Sequence, residues 1–160
     1  MLTSFPSSSF SSFSSLLLAV ALKSLWNGKC KIVLAEPLAV NDASISFSTK
    51  THHTTNKPGA TSVADGLKTC LGPKTFPIVR DLVDDVMCVD EVSIMKATKT
   101  VWSRMKVLIE PSAGVGVAVL LSDEFRSKYP PHLFPRVGVI LCGGNCDIDK
   151  VINAMGEMGV

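Results

Sequence analysis

The sequence predicts an α/β fold: an open, twisted, mostly parallel sheet with helices on both faces. Three observations predict it. Residues 31–35, 86–89 and 137–141 are short, uniformly apolar runs rich in β-branched side chains, as strands buried on both faces are. Stretches with helical spacing of apolar residues separate them. The 160 residues, 46% hydrophobic and 19% charged, suit one domain with a real core and are too apolar for a disordered chain.

The elements follow in order. The first 22 residues carry no charged side chain, and eight of the first 15 are serine. Residues 1–15 read as a disordered Ser/Phe-rich leader, and residues 16–25 as a buried helix opening a unit that runs over 16–160. Two readings of the start stay open, a low-complexity leader or an organellar transit segment; a secretory signal lacks its basic n-region, and a transit peptide lacks its arginines, since the first is Arg80. Residues 31–35, bounded by Gly28 and Pro37, read as a strand. Residues 40–62, full of Ser, Thr, His, Asn, Pro and Gly, read as one long loop. His52 and His53 lie in it without ligand spacing to a Cys or Asp and read as solvated.

After Pro73, residues 76–85 read as a short helix or turn, with Asp81, Asp84 and Asp85 on its polar side. The strand 86–89 follows. Asp90 suits an N-cap, and Met95, Thr98, Trp102, Met105 and Leu108 then recur at the spacing of one helix face until Pro111. A second helix starts near Ser112 and is apolar all round, hence buried. The strand 137–141 runs into Cys142-Gly143-Gly144-Asn145, and a short helix starts from Asp147.

Composition excludes some functions. A net charge of +2 is too small to hold nucleic acid by charge alone. No apolar run reaches the length of a membrane span. Five irregularly spaced cysteines point to reduced thiols in the cytoplasm, with a plastid or other organelle as the alternative should the leader be a transit peptide.

Three motifs carry chemistry. Cys142-Gly143-Gly144-Asn145 ends a strand, where open α/β sheets bind ligands, and its glycines let backbone approach a ring or phosphate; a plain tight turn is the alternative. Cys142 and Cys146 form a C-x3-C pair that lacks the further ligands zinc requires. Glu110 precedes a small-residue helix N-terminus; alternatively Ser112 is an ordinary cap. Glu36 and Asp42 suit a hard cation with oxygen ligands, or a solvated turn.

Taken together, Glu36-Pro37, Ala64-Asp65-Gly66-Leu67-Lys68, Arg80-Asp81-Leu82-Val83-Asp84-Asp85, Ile109-Glu110-Pro111-Ser112-Ala113-Gly114 and Leu141-Cys142-Gly143-Gly144-Asn145 resemble the C-terminal half of the serine racemase and serine/threonine dehydratase family over residues 16–152. The resemblance implies the larger domain of a fold-type II pyridoxal-phosphate enzyme, truncated at its N-terminus. It implies that Cys142 meets the pyridine nitrogen, with Gly143 and Asn145 in the same turn and Glu110 beside the site. It implies that Glu36, Asp42 and the backbone carbonyl of Val40 hold Mg²⁺, Mn²⁺ or Ca²⁺, although Asn41 stands where the family usually carries an acid. It implies L-serine or L-threonine as substrate, with racemisation at Cα or loss of the β-hydroxyl to give pyruvate and ammonia. In the full-length family it further implies ATP as an effector and a homodimer.

Two parts of the family's site have no counterpart. The Schiff-base lysine belongs to a Ser-Phe-Lys-like context, which none of the twelve lysines shares, so no catalytic residue is assigned. Phe10-Ser11-Ser12-Phe13 stands where the glycine phosphate loop aligns. The expectation is an enzyme by ancestry that is inactive alone; the alternatives are a non-catalytic partner subunit or a fragment without independent function.

Overall fold

The computed structural model describes residues 10–27 and 29–160. The leader expected over 1–15 therefore lies partly outside the described residues, as does the turn residue Gly28. In chain order the elements are α1 (Phe10–Leu25), β1 (Val33–Pro37), α2 (Asp42–Thr49), a 3₁₀ turn (Asp65–Leu67), α3 (Phe76–Leu82), β2 (Asp85–Val89), α4 (Glu91–Thr100), a π turn (Val101–Met105), α5 (Pro111–Leu121), α6 (Asp123–Lys128) and α7 (Ile148–Glu157). The first helix thus begins six residues before the expected position 16.

β1 and β2 pair in parallel, with Val33 opposite Asp85 and Pro37 opposite Val89. Alternation along the strands sorts the two faces. Val33, Ala35, Met87 and Val89 pack with Ile94 and Ala97 of α4, and with Val115, Ala118 and Val119 of α5. Leu34 and Val86 pack with Ala19 and Leu22 of α1, Phe47 of α2 and Val83. Helices therefore cover both faces of a small parallel sheet, as expected of this fold class. Ile94 and Val115 are almost wholly buried, and each such side chain contributes roughly 1.5–3 kcal/mol of transfer free energy.

Asp84 ties the α1 side to the sheet. Its carboxylate accepts from Lys23, from Lys31 at 2.9 Å and from the Ile32 N–H at 2.8 Å. Burial works to raise its pKa, and these bonds outweigh burial and hold it below the ordinary carboxylate value. Asp85 is buried at the head of β2, bound by Lys128 at 2.6 Å and the Tyr129 hydroxyl at 3.1 Å. The acids read as a polar face are thus two structural anchors, Asp84 and Asp85, and one surface pair, Arg80–Asp81.

Four other expectations are corrected. The stretch 40–62 is not one loop, because residues 42–49 form α2. Its Ser/Thr content hid a helix whose first N–H groups are satisfied by a carboxylate from β1. His52 is not solvated: its ring stacks on Phe76 at 5.2 Å, and Nε2 lies 2.6 Å from the Leu71 carbonyl. The cap of α5 is Glu110, one residue before Pro111, and Ser112 lies inside the helix.

Finally, residues 137–141 are not a strand. No described strand runs beside them, so there is no ladder to join. They lie instead against α5 and its approach, Val139 near Gly116 and Leu141 beside Val101, Ile109 and Ala113. Val137 and Ile140 remain exposed.

The face expected along α4 also changes phase. Met95 and Thr98 are buried, yet Met105 and Leu108 are about half exposed. The π turn between them inserts an extra residue per turn, which rotates everything beyond it away from the core. No described helix is long and apolar enough to cross a membrane.

Candidate functional site

The structure gathers the sequence-predicted residues into two groups. The first lies where β1 meets α2. Glu36 is buried at the end of the strand, and its two carboxylate oxygens accept the N–H groups of Ala43 at 3.0 Å and Ser44 at 2.9 Å. It therefore caps α2 from outside the helix, where the dipole favours an anion. Asp42, 2% exposed, accepts the Leu71 N–H at 2.7 Å and a longer contact from Asn56. Val40 is buried beside them, held by its N–H to the Pro37 carbonyl.

Burial pushes the Glu36 carboxyl up to about 7; the Ser44 and Ala43 N–H groups oppose this, and the charge of Asp42 adds to it. Neither carboxylate has an ion-pair partner among the described residues. Cys70 joins the group through Asn56, whose amide is 3.4 Å from its thiol. Burial first, then Asp42, raises the Cys70 pKa. Two buried carboxylates with no cation beside them, next to a backbone carbonyl, fit an oxygen-binding metal ion that keeps several waters. Among the described residues no cluster of three His, Cys, Asp or Glu side chains adds to this set.

The second group surrounds the N-terminus of α5. The Glu110 N–H donates to the Gly143 carbonyl at 3.2 Å. Its carboxylate accepts the Asn145 N–H, and lies so close to Gly143 that a Cβ there would sit 2.3 Å from Glu110 Oε1. Gly143 also has φ +113°, a conformation that side chains rarely adopt. Glycine at this position thus lets the turn wrap a carboxylate from its own chain.

Burial, and then the nearby charge of Asp65, hold the Glu110 pKa above its ordinary value. Ser112 connects the two acids: its hydroxyl accepts the Gly66 N–H at 3.1 Å and lies 3.5 Å from Asp65. Cys142 is exposed at the mouth of the turn. Cys146 is half-buried, with its thiol toward the Ile109 carbonyl.

Gly143→Ala is expected to break the Glu110–Asn145 contact, since the new methyl occupies the carboxylate's place. In amide-exchange or NMR measurements the Asn145 N–H should lose protection while α4 and α5 keep theirs. Unchanged Asn145 protection would show that the wrap does not depend on glycine.

Comparison with known proteins decides the ancestry. The family described as pyridoxal-phosphate dependent enzyme matches residues 7–143. The chain belongs to the pyridoxal-phosphate dependent enzyme family. Within that family it is 46% identical over 134 residues to the serine racemase of Bos taurus, covering 84% of this chain and 39% of that protein. It is 39% identical over 130 residues to a serine racemase of Oryza sativa, covering 81% and 38%.

Among solved structures of the family, maize serine racemase superposes with a TM-score of 0.78 at 37% identity, over 89% of this chain and 42% of that one. The serine racemase of Dictyostelium discoideum gives 0.72 at 38% identity, over 82% and 40%. The chain thus spans about two fifths of the length of the serine racemases it matches. A bacterial-type likeness extends the set to a threonine deaminase, which superposes with a TM-score of 0.67 at 29% identity.

The residues present fit the family's cofactor at one end only. The neutral, accessible Cys142 thiol beside an open turn suits a pyridine nitrogen. The place expected to align with the phosphate loop, residues 10–13, is the first turn of α1 and not a glycine loop. The polar contacts made by lysines lie elsewhere: Lys23 and Lys31 on Asp84, Lys106 on Ser103, Lys128 on Asp85 and Lys150 on Asp147.

Sequence reasoning missed Asp65, Ser112, Cys70 and Asn56 as members of these groups. Asp65 stood in one of the motif blocks, but its meeting with Ser112, 47 residues on, is a tertiary fact without a local signal.

Proposed function

We propose that this chain supplies the ring-facing and cation-binding part of a serine racemase or serine/threonine ammonia-lyase site, and that it is inactive on its own. The observation that carries this is the pairing of two intact groups, Glu36–Asp42 and Glu110–Gly143–Asn145, with a site that no lysine contacts among the described residues. Bound pyridoxal phosphate supplies an electron sink for loss of a proton from Cα.

Around it, Cys142 would hold the ring nitrogen without protonating it. Glu110, protonated more readily than an ordinary carboxyl, would hold a proton at the ring side of the site. Glu36, Asp42 and the Val40 carbonyl would hold Mg²⁺, Mn²⁺ or Ca²⁺ and so fix α2 against the loop at Leu71. Serine or threonine is the substrate this reading implies, with a homodimer as the complete enzyme.

A second reading is favoured by residues 135–142, whose backbone makes no backbone hydrogen bond among the described residues. On it, the chain acts as a partner subunit, completed by a chain that brings the lysine and a strand for this segment.

The test uses the purified 160-residue chain with pyridoxal phosphate. Borohydride reduction followed by peptide mapping is expected to find no single modified lysine, and L-serine is expected to give neither D-serine nor pyruvate. One modified lysine with turnover would overturn the proposal. Mixing with a full-length family member separates the readings, because only the second expects stable mixed dimers.

A further inference from the structure

Two open clefts adjoin along the outer side of α4 and its π turn, and neither shares a lining residue with the groups described above. The first, about 520 Å³, is lined by Lys96, Lys99 and Arg104, with Thr100, Ser103 and Val160 between them. The second, about 490 Å³, is lined chiefly by Trp102, Ile152 and Met155. Lys99, Ser103 and Val160 line both, so the two form one continuous depression with a cationic end and an apolar end.

The cationic end is uncompensated. Lys96, Lys99 and Arg104 have no ion-pair partner among the described residues, and Glu157 of α7 lines neither cleft. Lys96 and Lys99, three apart on one helix, repel each other, a cost that a bound anion would relieve. The π turn brings Arg104 to the same edge.

At the apolar end, the Trp102 indole is fixed by its Nε1–H to the Ile109 carbonyl at 2.8 Å. Met155 is buried beneath it, and Ile152 is 53% exposed. A rigid aromatic ring beside an exposed aliphatic side chain and a row of free cations matches a ligand that is anionic at one end and apolar along its body.

We propose that this double cleft binds a small anionic amphiphile, its phosphate or carboxylate head at Lys96, Lys99 and Arg104 and its apolar body along Trp102, Ile152 and Met155. The chain carries two tryptophans, so Trp26→Phe leaves Trp102 as the sole indole reporter. The probe is octyl phosphate, kept below its micelle-forming concentration. A saturable change in Trp102 emission is expected, with affinity falling about tenfold or more in Lys96→Glu/Lys99→Glu and falling as salt rises. Ile152→Ser should weaken octyl phosphate and leave inorganic phosphate unaffected.

The proposal fails if octyltrimethylammonium gives the same response, which would mean apolar adsorption. It fails if the double charge reversal binds as well as the parent with an unchanged circular dichroism spectrum. It fails if inorganic phosphate binds as tightly as octyl phosphate, or if only anionic phosphatidylglycerol vesicles produce the change.

Discussion

Gly114→Ala should lower the stability of the chain by about 2 kcal/mol, a fall of roughly 5–8 °C in thermal midpoint for a domain of this size. Gly114 lies where α5 crosses α4. A Cβ there would meet Thr98 Oγ1 at 2.2 Å and the Ile94 carbonyl at 3.3 Å. Thr98 cannot easily give way: it is fully buried, and its hydroxyl already donates to the Ile94 carbonyl at 2.9 Å. Alanine gains about 1 kcal/mol of helix propensity over glycine, which the clash exceeds. Thr98→Ala in the same chain should return much of the loss, because it removes the atom in collision. Equal midpoints for the parent and Gly114→Ala would show that the two helices are not in contact at this point.

The second large effect concerns pH. The metal-free chain should lose stability as pH rises from about 4.5 through about 7, by up to about 3 kcal/mol. The sign follows from Glu36, whose carboxyl sits near 7 when folded against an ordinary 4.5. Between those values the folded chain retains a proton that the unfolded chain has released, so raising the pH favours unfolding. Glu36→Gln should flatten that slope at the cost of one good hydrogen bond to α2. Mg²⁺ added at pH 7.5 should restore stability to the parent alone, because a cation binds the ionised carboxylates. Denaturant titrations in EDTA across this range check it, and an undiminished slope in Glu36→Gln would remove Glu36 as its source.

Much of the architecture was legible in the sequence because it rests on local signals. The Asp90 cap accepts from the Ser93 N–H as its position suggested, and the Asp147 cap accepts likewise from Lys150. The strand 86–89 differs from the observed β2 by a single residue. What failed depended on partners distant in sequence. Residues 137–141 have strand composition, but a strand exists only beside another. Helix α2 looked like a loop because its N-terminal N–H groups are met by Glu36, which lies outside it. Of the candidate site, Glu36, Asp42 and Glu110 were visible as carboxylates at element ends. Asp65 and Ser112 were not visible as neighbours, because only folding brings them together.

The sheet's register has a kinetic consequence. β1 and β2 pair residues 52 positions apart, Val33 with Asp85, whereas α4 and α5 are consecutive helices joined through a single short turn and connection. Closing the long loop costs more chain entropy, and no sheet bond forms until it is closed. The α4–α5 pair is therefore expected to assemble early and to serve as the surface on which the two strands later meet. Rate measurements should then show Ala118→Gly slowing folding and Val86→Ala mainly speeding unfolding. The opposite pattern would place strand pairing first.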